Sequence, residues 1–304
     1  MDRHQKTTLE RLAGKGIRFH YPMHQLTTYQ VGGPVEVLWE ARDLMTLKEV
    51  IRFLSAESIP YGVLGKGSNL LVTDNGIDGV MILLKGSLAT INQGPEDSLV
   101  WAGGGVHLTD LMKWCRQKGM SGLEFMAGIP GTVGGAVVMN AGAFGQEVGE
   151  KVKTIQFVVS GGTAVLMNRS DLEFSYRRLH VHKGSAVVNA CFQLSRSTPD
   201  KVAEKMGDFL RTRKETQPHG APSAGSVFKN PPGDHAGRLI DQAGLKGRKI
   251  GGAMVSEKHA NYILNMGSAT ARDILSLMEL VHFEVKRTSG INLEPEIKIV
   301  GKQP

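Results

Sequence analysis

Seven glycines fall within the 22 residues 128–149, GIPGTVGGAVVMNAGAFGQEVG, and this glycine segment constrains the fold more than any other stretch of the chain. Glycine has no Cβ, so a chain rich in it can turn left-handed and let another group approach its backbone closely. Within it, IPGTVGG (129–135) puts three glycines and a proline into one bend, which a hairpin could make with one glycine. The segment therefore either makes tight turns only, or lines an anionic ligand with backbone N–H groups.

A second run, GKGSNLLV (65–72), forms what we call the first glycine loop. Leu70 stands where a dinucleotide-binding fingerprint has its third glycine, and the sequence contains no Gly-x-x-x-x-Gly-Lys-Ser/Thr motif. Backbone amides remain as candidates to line a pyrophosphate, with Ser68, Asn69, Thr132 and Asn140 as added donors. Each loop alone is equally well explained by tight turns, but the two together favour a phosphate-bearing ligand.

The 304 residues suffice for two or three domains, and 41% hydrophobic with 21% charged residues is typical of a globular protein. No stretch approaches 18 uninterrupted apolar residues and the first ten contain no apolar run, so we expect a cytoplasmic protein that is not in a membrane. Two cysteines form neither a disulfide framework nor a zinc site, and no metal is expected. The net charge is +7 and only 6% of the residues are aromatic. A solvated basic face explains this charge best, an anionic small ligand second, and nucleic-acid binding third.

Hydrophobic patterns predict alternating strands and helices, and so an α+β or mixed α/β fold in several lobes. Strands are predicted at 35–41, 152–159, 163–168, 185–195 and 295–301. Helices are predicted at 46–58 with a capping box of Thr46 and Glu49, at 107–119 with Gly119 as the C-cap, at 199–218, and at 269–290. In the last strand, alternation would put Glu296 and Lys298 on one face, and Ile297 and Ile299 on the other.

Six segments occur in a recognisable order along the chain. They are LGKGSNLLV, GIPGTVGGAVVMNAGAFGQE, FSYRRL, AGSVFKNP, AGRLIDQAGLKG and HANYILN. In this order they closely resemble the family of UDP-N-acetylenolpyruvoylglucosamine reductases, also called UDP-N-acetylmuramate dehydrogenases. The resemblance runs from about residue 31 to residue 301, nearly the whole chain.

The resemblance implies an α+β protein with a two-lobed FAD-binding domain of the vanillyl-alcohol-oxidase (PCMH) type and a C-terminal α+β substrate-binding domain. The expected ranges are an N-terminal arm at 1–30, the FAD-binding domain at 31–198 with lobes of about 31–86 and 87–198, and the substrate-binding domain at 199–304. FAD is expected to be noncovalent, because relatives that attach flavin covalently use a histidine in the first glycine loop and residues 65–72 contain none. The implied FAD contacts are Gly65, Lys66, Gly67, Ser68, Asn69, Leu70, Gly128, Ile129, Pro130, Gly131, Thr132, Gly134, Gly135, Asn140, Ala141 and Gly142.

The implied reaction adds hydride to an enol ether conjugated to a carboxylate and a proton to the neighbouring carbon, and the intermediate enolate must be stabilised. By resemblance Ser226 donates the proton, Arg177 binds the carboxylate with its planar fork, and Glu296 hydrogen-bonds the enolate. Glu296 would then need a raised pKa, and Glu294 is its rival. Without the resemblance, Ser226 is explained as well by a role in forming the turn, and less well by a role as a nucleophile. Arg177 would then be an ordinary surface arginine.

The resemblance also implies a substrate and a reductant. The expected reaction converts UDP-N-acetylglucosamine enolpyruvate to UDP-N-acetylmuramate with NADPH, in peptidoglycan precursor synthesis, by a monomer. The expected substrate contacts are Tyr176, Lys229, Asn230, Gln242, His259, Asn261 and Lys298. Arg211, Arg213 and Lys214 either meet phosphates or solvate their helix.

Two other classes stay open: a flavin oxidase of the same superfamily, and a non-enzymatic flavin or nucleotide-sugar sensor. The chain departs from some family members, which carry a tyrosine-bearing insertion between the arginine and serine motifs. Only 49 positions separate Arg177 from Ser226 (226 − 177), with no tyrosine between them, so the sequence indicates a shorter form.

Overall fold

Local capping chemistry sets the ends of the helices. The structure, a computed structural model, describes residues 1–302, so the last two positions of the predicted range 199–304 lie outside the described residues. Within residues 1–302 the helices are α1 (Arg3–Ala13), α2 (Leu44–Ala56), α3 (Leu108–Lys118), α4 (Val133–Val138), α5 (Pro199–Thr216), α6 (Ala236–Gln242) and α7 (Ala271–Ser289). Helix α3 ends at Gly119, as predicted, with a left-handed φ of 62°. The predicted capping box of Thr46 and Glu49 is wrong: α2 begins one turn earlier, where the Asp43 carboxylate accepts from the Thr46 backbone N–H at 2.8 Å.

The strands are mostly short and separated by glycine turns. They are β1 (Ile17–Pro22), β2 (Pro34–Ala41), β3 (Tyr61–Leu64), β4 (Leu70–Val72), β5 (Ile77–Leu84), β6 (Ile91–Gln93), β7 (Leu99–Gly103), β8 (Met120–Ser121), β9 (Gly142–Ala143), β10 (Gln146–Glu147), β11 (Val152–Val158), β12 (Ala164–Asn168), β13 (Glu173–Ser175), β14 (Arg178–His180), β15 (Ala186–Gln193), β16 (Ser195–Arg196), β17 (Lys249–Ile250), β18 (Ala253–Val255), β19 (Ile263–Asn265) and β20 (Lys298–Val300). Every strand predicted from alternation is present, but the last begins at Lys298 instead of residue 295.

The chain divides into two compact units built from interleaved segments. Unit 1 comprises Met1–Phe19, Val37–Lys66 and Gly79–Arg211, and it contains two hydrophobic cores. The first core lies on the sheet β1-β2-β5-β3, where Trp39 and Ile82 are buried together with Ile51 of α2. The second core lies on the sheet β12-β11-β15-β7-β6, which α3 and α4 cover. These two cores agree with a two-lobed domain. Leu9 of α1 is fully buried in the first core, so α1 packs on unit 1, and the expected arm at 1–30 stays a prediction.

Unit 2 comprises His20–Glu36, Gly67–Asp78 and the described chain from Thr212 onward. Its core contains α6, α7 and the sheet β17-β18-β19, together with the early residues Tyr29 and Leu71. Strand β4 pairs in parallel with β20, so Leu70 faces Lys298 in the register. The compact units are therefore discontinuous and do not coincide with the contiguous ranges 31–198 and 199–304, because β20 takes its pairing partner from the first quarter of the chain.

Within residues 1–302 no helix is both long enough and apolar enough to cross a membrane. Both cysteines are buried and free, and burial raises the pKa of the Cys115 thiol to about 12, so that thiol stays protonated at neutral pH.

Candidate active site

The predicted catalytic arginine lies in the turn of the arginine hairpin, residues 173–180, formed by β13 and β14. Arg177 has a φ of 58°, in the left-handed region that favours glycine. A non-glycine residue there costs about 1 kcal/mol, so the turn is strained. Its guanidinium carbon lies 5.0 Å from the ring centroid of Tyr176, which is 45% exposed. Strained backbone of this kind is concentrated at functional sites, in agreement with the role implied for Arg177.

The glycine segment is joined to the arginine hairpin by Asn140, which is 1% exposed. Its amide nitrogen donates to the Ser175 carbonyl at 3.0 Å and to Glu147 Oε2 at 2.6 Å. Its amide oxygen accepts from the Gly149 N–H at 3.0 Å. A Cβ on Gly142 would lie 3.1 Å from Arg177 Nη1, so the absence of a side chain at this position gives the guanidinium room. These contacts give Asn140 a positioning role. The predicted FAD contact at Asn140 stays a prediction.

The start of the first glycine loop meets the glycine segment within unit 1. A Cβ on Gly65 would lie 2.6 Å from Thr132 Oγ1, closer than real Cβ atoms come, so glycine is required there. Thr132 is buried, Pro130 has no N–H, and the N–H groups of Ile129, Val133, Gly134 and Gly135 are bonded within the protein. Exposed Gly128 and half-buried Gly131 remain as backbone donors that suit a pyrophosphate.

The surroundings of this backbone are also basic. His107 forms a β-bridge with Thr132, and its pKa is lowered by burial and then by the charges of Lys85 and Lys66. A positive charge that disfavours a protonated histidine equally favours an anion. An open backbone surface beside two lysines therefore fits the pyrophosphate of FAD.

The rest of the first glycine loop belongs to unit 2. Gly67 has a φ of 64°, and a Cβ there would overlap the Leu26 carbonyl oxygen, so this position also requires glycine. Asn69 lies beside Glu296: its amide nitrogen donates to the Glu296 carbonyl at 3.2 Å, and its own carbonyl accepts from the Lys298 N–H at 2.9 Å. Ser68 and Leu70 flank it, half-buried.

The serine turn, residues 224–230, is held mainly by Asn261, which is 4% exposed. The Asn261 carboxamide accepts from the Phe228 N–H at 2.9 Å and donates to the Phe228 carbonyl at 2.8 Å. The Asn261 backbone carbonyl accepts from the Val227 N–H at 2.9 Å. On the other side, the Glu296 N–H donates to the Val227 carbonyl at 2.8 Å, so Ser226 and Glu296 are brought together.

The two candidate glutamates have different surroundings. Glu294 is paired with Lys229 at 3.1 Å, and its side chain is 73% exposed. Glu296 is half-buried next to the serine turn, which favours it over its rival. The predicted alternation is wrong here: Glu296 precedes β20, and Ile299 is 40% exposed while Ile297 is buried. The exposure of residues 296–299 is set by the parallel pairing of β20 with β4, and not by the alternation of a strand with one buried and one solvated face.

Sequence reasoning missed Tyr262, although it lies within the quoted segment HANYILN. Burial raises the pKa of Tyr262, while Arg213 and then the Ser226 hydroxyl lower it and Glu296 raises it. Arg213 and Glu296 are therefore close enough to influence the phenol. The signal was its place directly after Asn261 and three residues after His259, two polar residues that were singled out.

An open pocket of about 420 Å³ lies in unit 2 in front of the serine turn. Its lining is Ser226, Asn230, His235, Gly237, Arg238, Asp241, Lys246, Lys258, His259, Ala260 and Asn261. Three basic side chains, Arg238, Lys246 and Lys258, line the pocket, but Arg238 is paired with Asp234 and Lys246 with Asp241. Lys258 donates to the Lys214 carbonyl at 2.7 Å, so it is the lining cation outside these two ion pairs that suits an anion. Of the predicted substrate contacts, Asn230, His259 and Asn261 line it, whereas Tyr176, Lys229, Gln242 and Lys298 do not. Among residues 1–302, no group of three or more His, Cys, Asp or Glu side chains could hold a metal.

Comparison with known proteins identifies the family. Residues 217–300 match the model described as "UDP-N-acetylenolpyruvoylglucosamine reductase, C-terminal domain", and residues 35–168 match the model described as "FAD binding domain". The curated UDP-N-acetylenolpyruvoylglucosamine reductase 2 of Symbiobacterium thermophilum is 43% identical over 289 residues, which are 95% of this chain and 93% of that protein. The chain belongs to the UDP-N-acetylenolpyruvoylglucosamine reductase family.

Two further reductases of the family support the assignment. The enzyme of Rubrobacter xylanophilus is 41% identical over 97% of this chain and 98% of its own length. The crystal structure of the reductase from Thermus caldophilus superposes with a TM-score of 0.80 at 37% identity, covering 93% of this chain and 97% of that one. The α+β fold, with an FAD-binding domain followed by the reductase C-terminal domain, is thereby confirmed.

Proposed function

We propose that Arg177, Ser226 and Glu296 carry out the reduction of UDP-N-acetylglucosamine enolpyruvate to UDP-N-acetylmuramate. As a member of the reductase family, the chain is an FAD-dependent, NADPH-consuming oxidoreductase of peptidoglycan precursor synthesis. The observation that carries the residue assignment is the serine turn, where Ser226 lines a basic pocket and the backbone of half-buried Glu296 is bonded to the next residue, Val227. A serine that only formed a turn would need neither neighbour.

The chain offers a binding surface for the cofactor. The backbone N–H groups of Gly128 and Gly131, with Gly65 and Lys66, would hold the pyrophosphate in unit 1. Bound FAD supplies the hydride that it has accepted from NADPH. The fit rests on amides and lysine charges in place of a side-chain bond to the flavin, so we propose noncovalent binding.

Each catalytic residue acts on charge that develops during reduction. The guanidinium of Arg177 binds the substrate carboxylate with two N–H groups, and stabilises the electron pair that moves onto it when hydride adds to the alkene carbon that is not attached to the carboxylate. Glu296, protonated, donates a hydrogen bond to the enolate oxygen. The enolate carbon then takes the proton of Ser226: a C–H bond forms from the enolate electron pair, and the serine O–H bond breaks.

The pocket has the charge needed for the nucleotide part of the substrate. Arg238, Lys246 and Lys258 offer cationic groups, and His259 lies on the same wall. The Asn230 carboxamide accepts from the Ala236 N–H at 3.0 Å, so it keeps donors for a ligand. We propose that these side chains hold the diphosphate in this short form. Asn261 has both carboxamide atoms bonded to Phe228 and acts as a positioning residue.

The Ser226→Ala variant tests the proposal through the two half-reactions, observed by flavin absorbance without oxygen. NADPH should bleach the flavin at the normal rate, whereas reoxidation by the enolpyruvyl sugar nucleotide should fall by ~10²–10⁴-fold. Ser170→Ala is the matched control, because Ser170 is exposed and bonds only its neighbour Asp171 among the contacts described. Equal loss of both half-reactions would make Ser226 structural and end the proposal.

The same preparation distinguishes the alternative functions. A flavin oxidase would reoxidise with oxygen and not with the sugar nucleotide, and a sensor would bind ligand without turnover. The cytoplasmic location and monomeric state expected from the sequence stay predictions.

A further inference from the structure

The β9–β10 hairpin carries an acidic side chain, Glu147, close to the predicted catalytic arginine, and the steps above do not use it. Glu147 is half-buried, and its Oε2 accepts from the Asn140 amide nitrogen at 2.6 Å. A hydrogen bond to a carboxylate is shorter and stronger than one between neutral groups. Glu147 is therefore firmly bonded to the residue that joins the glycine segment to the arginine hairpin.

The carboxamide of Asn140 is fully used by this network. One N–H donates to Glu147, the other donates to the Ser175 carbonyl at 3.0 Å, and the amide oxygen accepts from the Gly149 N–H at 3.0 Å. Two acceptors on the nitrogen side and one donor on the oxygen side allow only one orientation of the amide. Without the Glu147 acceptor, one N–H of this buried amide would lose its partner, and its hold on Ser175 would weaken.

The bond to Ser175 acts at the start of the turn that presents the arginine. Ser175 pairs with Arg178 in the register of the arginine hairpin, so the turn between them consists of Tyr176 and Arg177. Arg177 has a left-handed φ of 58°, and strained backbone persists only where the surrounding structure holds it. Asn140 therefore supplies part of the support that the strained turn needs.

Glu147 also borders the side chain of the arginine, through its partner Gly142 in the β9–β10 register. A Cβ on Gly142 would lie 3.0 Å from Glu147 Cγ and 3.1 Å from Arg177 Nη1. Since both atoms lie near the same point, they are within about 6 Å of each other. One side chain thus borders both the guanidinium and the network that holds its backbone.

The hairpin that carries Glu147 is held at its tip as well. Phe144 and Gly145 turn with left-handed φ values of 54° and 76°, and the Phe144 ring contacts Phe209 of α5 with the centroids 4.7 Å apart. Both rings belong to unit 1. Because the tip and the strands of the hairpin are both fixed, the backbone at 147 does not move to compensate for a shorter side chain.

We propose that Glu147 is a positioning residue for Arg177: by accepting from Asn140 it fixes the Ser175 carbonyl, and with it the turn that presents the guanidinium to the substrate carboxylate. This inference rests on the proposed function of Arg177. The reach of the acceptor matters more than its negative charge, because its partner is a neutral amide. No covalent bond breaks and no proton moves in this role.

Two conservative variants separate reach from charge. Glu147→Gln keeps the length and an oxygen acceptor but removes the charge, and reoxidation of the reduced flavin by the sugar nucleotide should stay within ~3-fold of wild type. Glu147→Asp keeps the charge but is one methylene shorter, and reoxidation should slow ~10-fold, because the guanidinium is misplaced. Bleaching of the flavin by NADPH should be normal in both. Exposed Glu150→Asp is the matched control and should change neither half-reaction.

A double variant tests whether the effect passes through the arginine. Arg177→Ala/Glu147→Asp should be no slower than Arg177→Ala, because residues that act as a unit are not additive. A defect of general structure would instead slow Arg177→Ala further, by the same factor as in Glu147→Asp alone.

That further slowing would overturn the inference, and so would a wild-type rate in Glu147→Asp or a Glu147→Gln protein as slow as Glu147→Asp. Loss of NADPH-dependent bleaching in Glu147→Asp would make the residue structural, which also overturns it. In all these cases the function proposed for Arg177 would stand. If Arg177→Ala itself kept the wild-type reoxidation rate, that function would fail first, and this inference with it.

Discussion

The arginine hairpin of unit 1 and the serine turn of unit 2 are both short turns that present one functional side chain, but they are held by different forces. Arg177 has a left-handed φ of 58° and so stores backbone strain. The serine turn is fixed by three hydrogen bonds from the almost fully buried Asn261. One turn loses stability to present its residue, whereas the other gains stability from the contacts that present it. The two sites should therefore respond oppositely to mutation.

The Arg177→Gly variant should have the largest effect and tests whether the arginine hairpin is strained. Glycine accepts the left-handed φ, so the free energy of unfolding should rise by about 1 kcal/mol. Reoxidation of the reduced flavin by substrate should nevertheless fall by ~10²–10³-fold, because the carboxylate loses its cation. Denaturant unfolding and single-turnover absorbance measure the two effects. Arg178→Gly is the control: it removes an exposed charge from β14, where φ is not left-handed, and should keep turnover. A destabilised Arg177→Gly would contradict the claim of strain.

Asn261→Ala should have the opposite signature. It leaves the N–H and the carbonyl of buried Phe228 without their carboxamide partner, which should lower the free energy of unfolding by about 2–4 kcal/mol. Substrate-dependent reoxidation should fall while NADPH-dependent bleaching persists. Exposed Asn292→Ala should change neither. A stable Asn261→Ala protein with a slow second half-reaction would show that Asn261 touches the ligand directly.

Gly142→Ala should show whether the space beside Arg177 matters. A Cβ would lie 2.6 Å from the Gln146 carbonyl oxygen and 3.1 Å from Arg177 Nη1, so the β9–β10 hairpin must shift, at a cost of about 1–3 kcal/mol. Substrate kcat/KM should fall ~10-fold as the guanidinium moves. Gly145→Ala introduces strain at φ 76° in the same hairpin with nothing within 4 Å, and should lose stability while keeping kcat/KM. If Gly142→Ala and Gly145→Ala lost kcat/KM equally, the space beside the Arg177 guanidinium would not be the cause, and the claim would be wrong.

The smallest effect concerns pH. Burial, followed by the charge of Lys246, lowers the pKa of His259 in the folded protein. The folded state then binds fewer protons than the unfolded chain, so its stability is present above the unfolded pKa of about 6.5 and is lost as pH falls below it. His259→Gln should flatten this acid-side loss in a series of unfolding curves from pH 7.5 to 5.5. His107→Gln makes the matching test in unit 1, because burial also lowers the pKa of His107. If the dependence of the unfolding free energy on pH were unchanged in both variants, neither histidine would cause the acid sensitivity.

Much of the local structure follows from the sequence, because caps and periodic apolar residues act over short distances. Gly119 ends α3 as predicted, and Gly290 caps α7 in the left-handed region. The error at α2 arose because two residues of one turn, Asp43 and Thr46, are both good caps, and the pattern does not say which side chain faces the backbone.

The arrangement of the units was beyond the reach of pattern reasoning. Apolar alternation indicates that β4 is buried, but not that β20 covers it. In the site, resemblance singled out Ser226 and Glu296, which the structure brings together. Tyr262 was missed because, in sequence, a tyrosine in a run of apolar residues is indistinguishable from an ordinary core residue.

The parallel pair β4–β20 has a consequence for how the protein is made. Strand β4 leaves the ribosome 228 residues before β20 (298 − 70), which corresponds to roughly 10–45 s of synthesis at 5–20 residues per second. During that interval Leu71 has no core to enter, and an apolar strand edge is open to aggregation. Nascent chains stalled shortly before residue 298 should therefore depend on chaperones, and a release factor that acts early would yield a product unable to close unit 2.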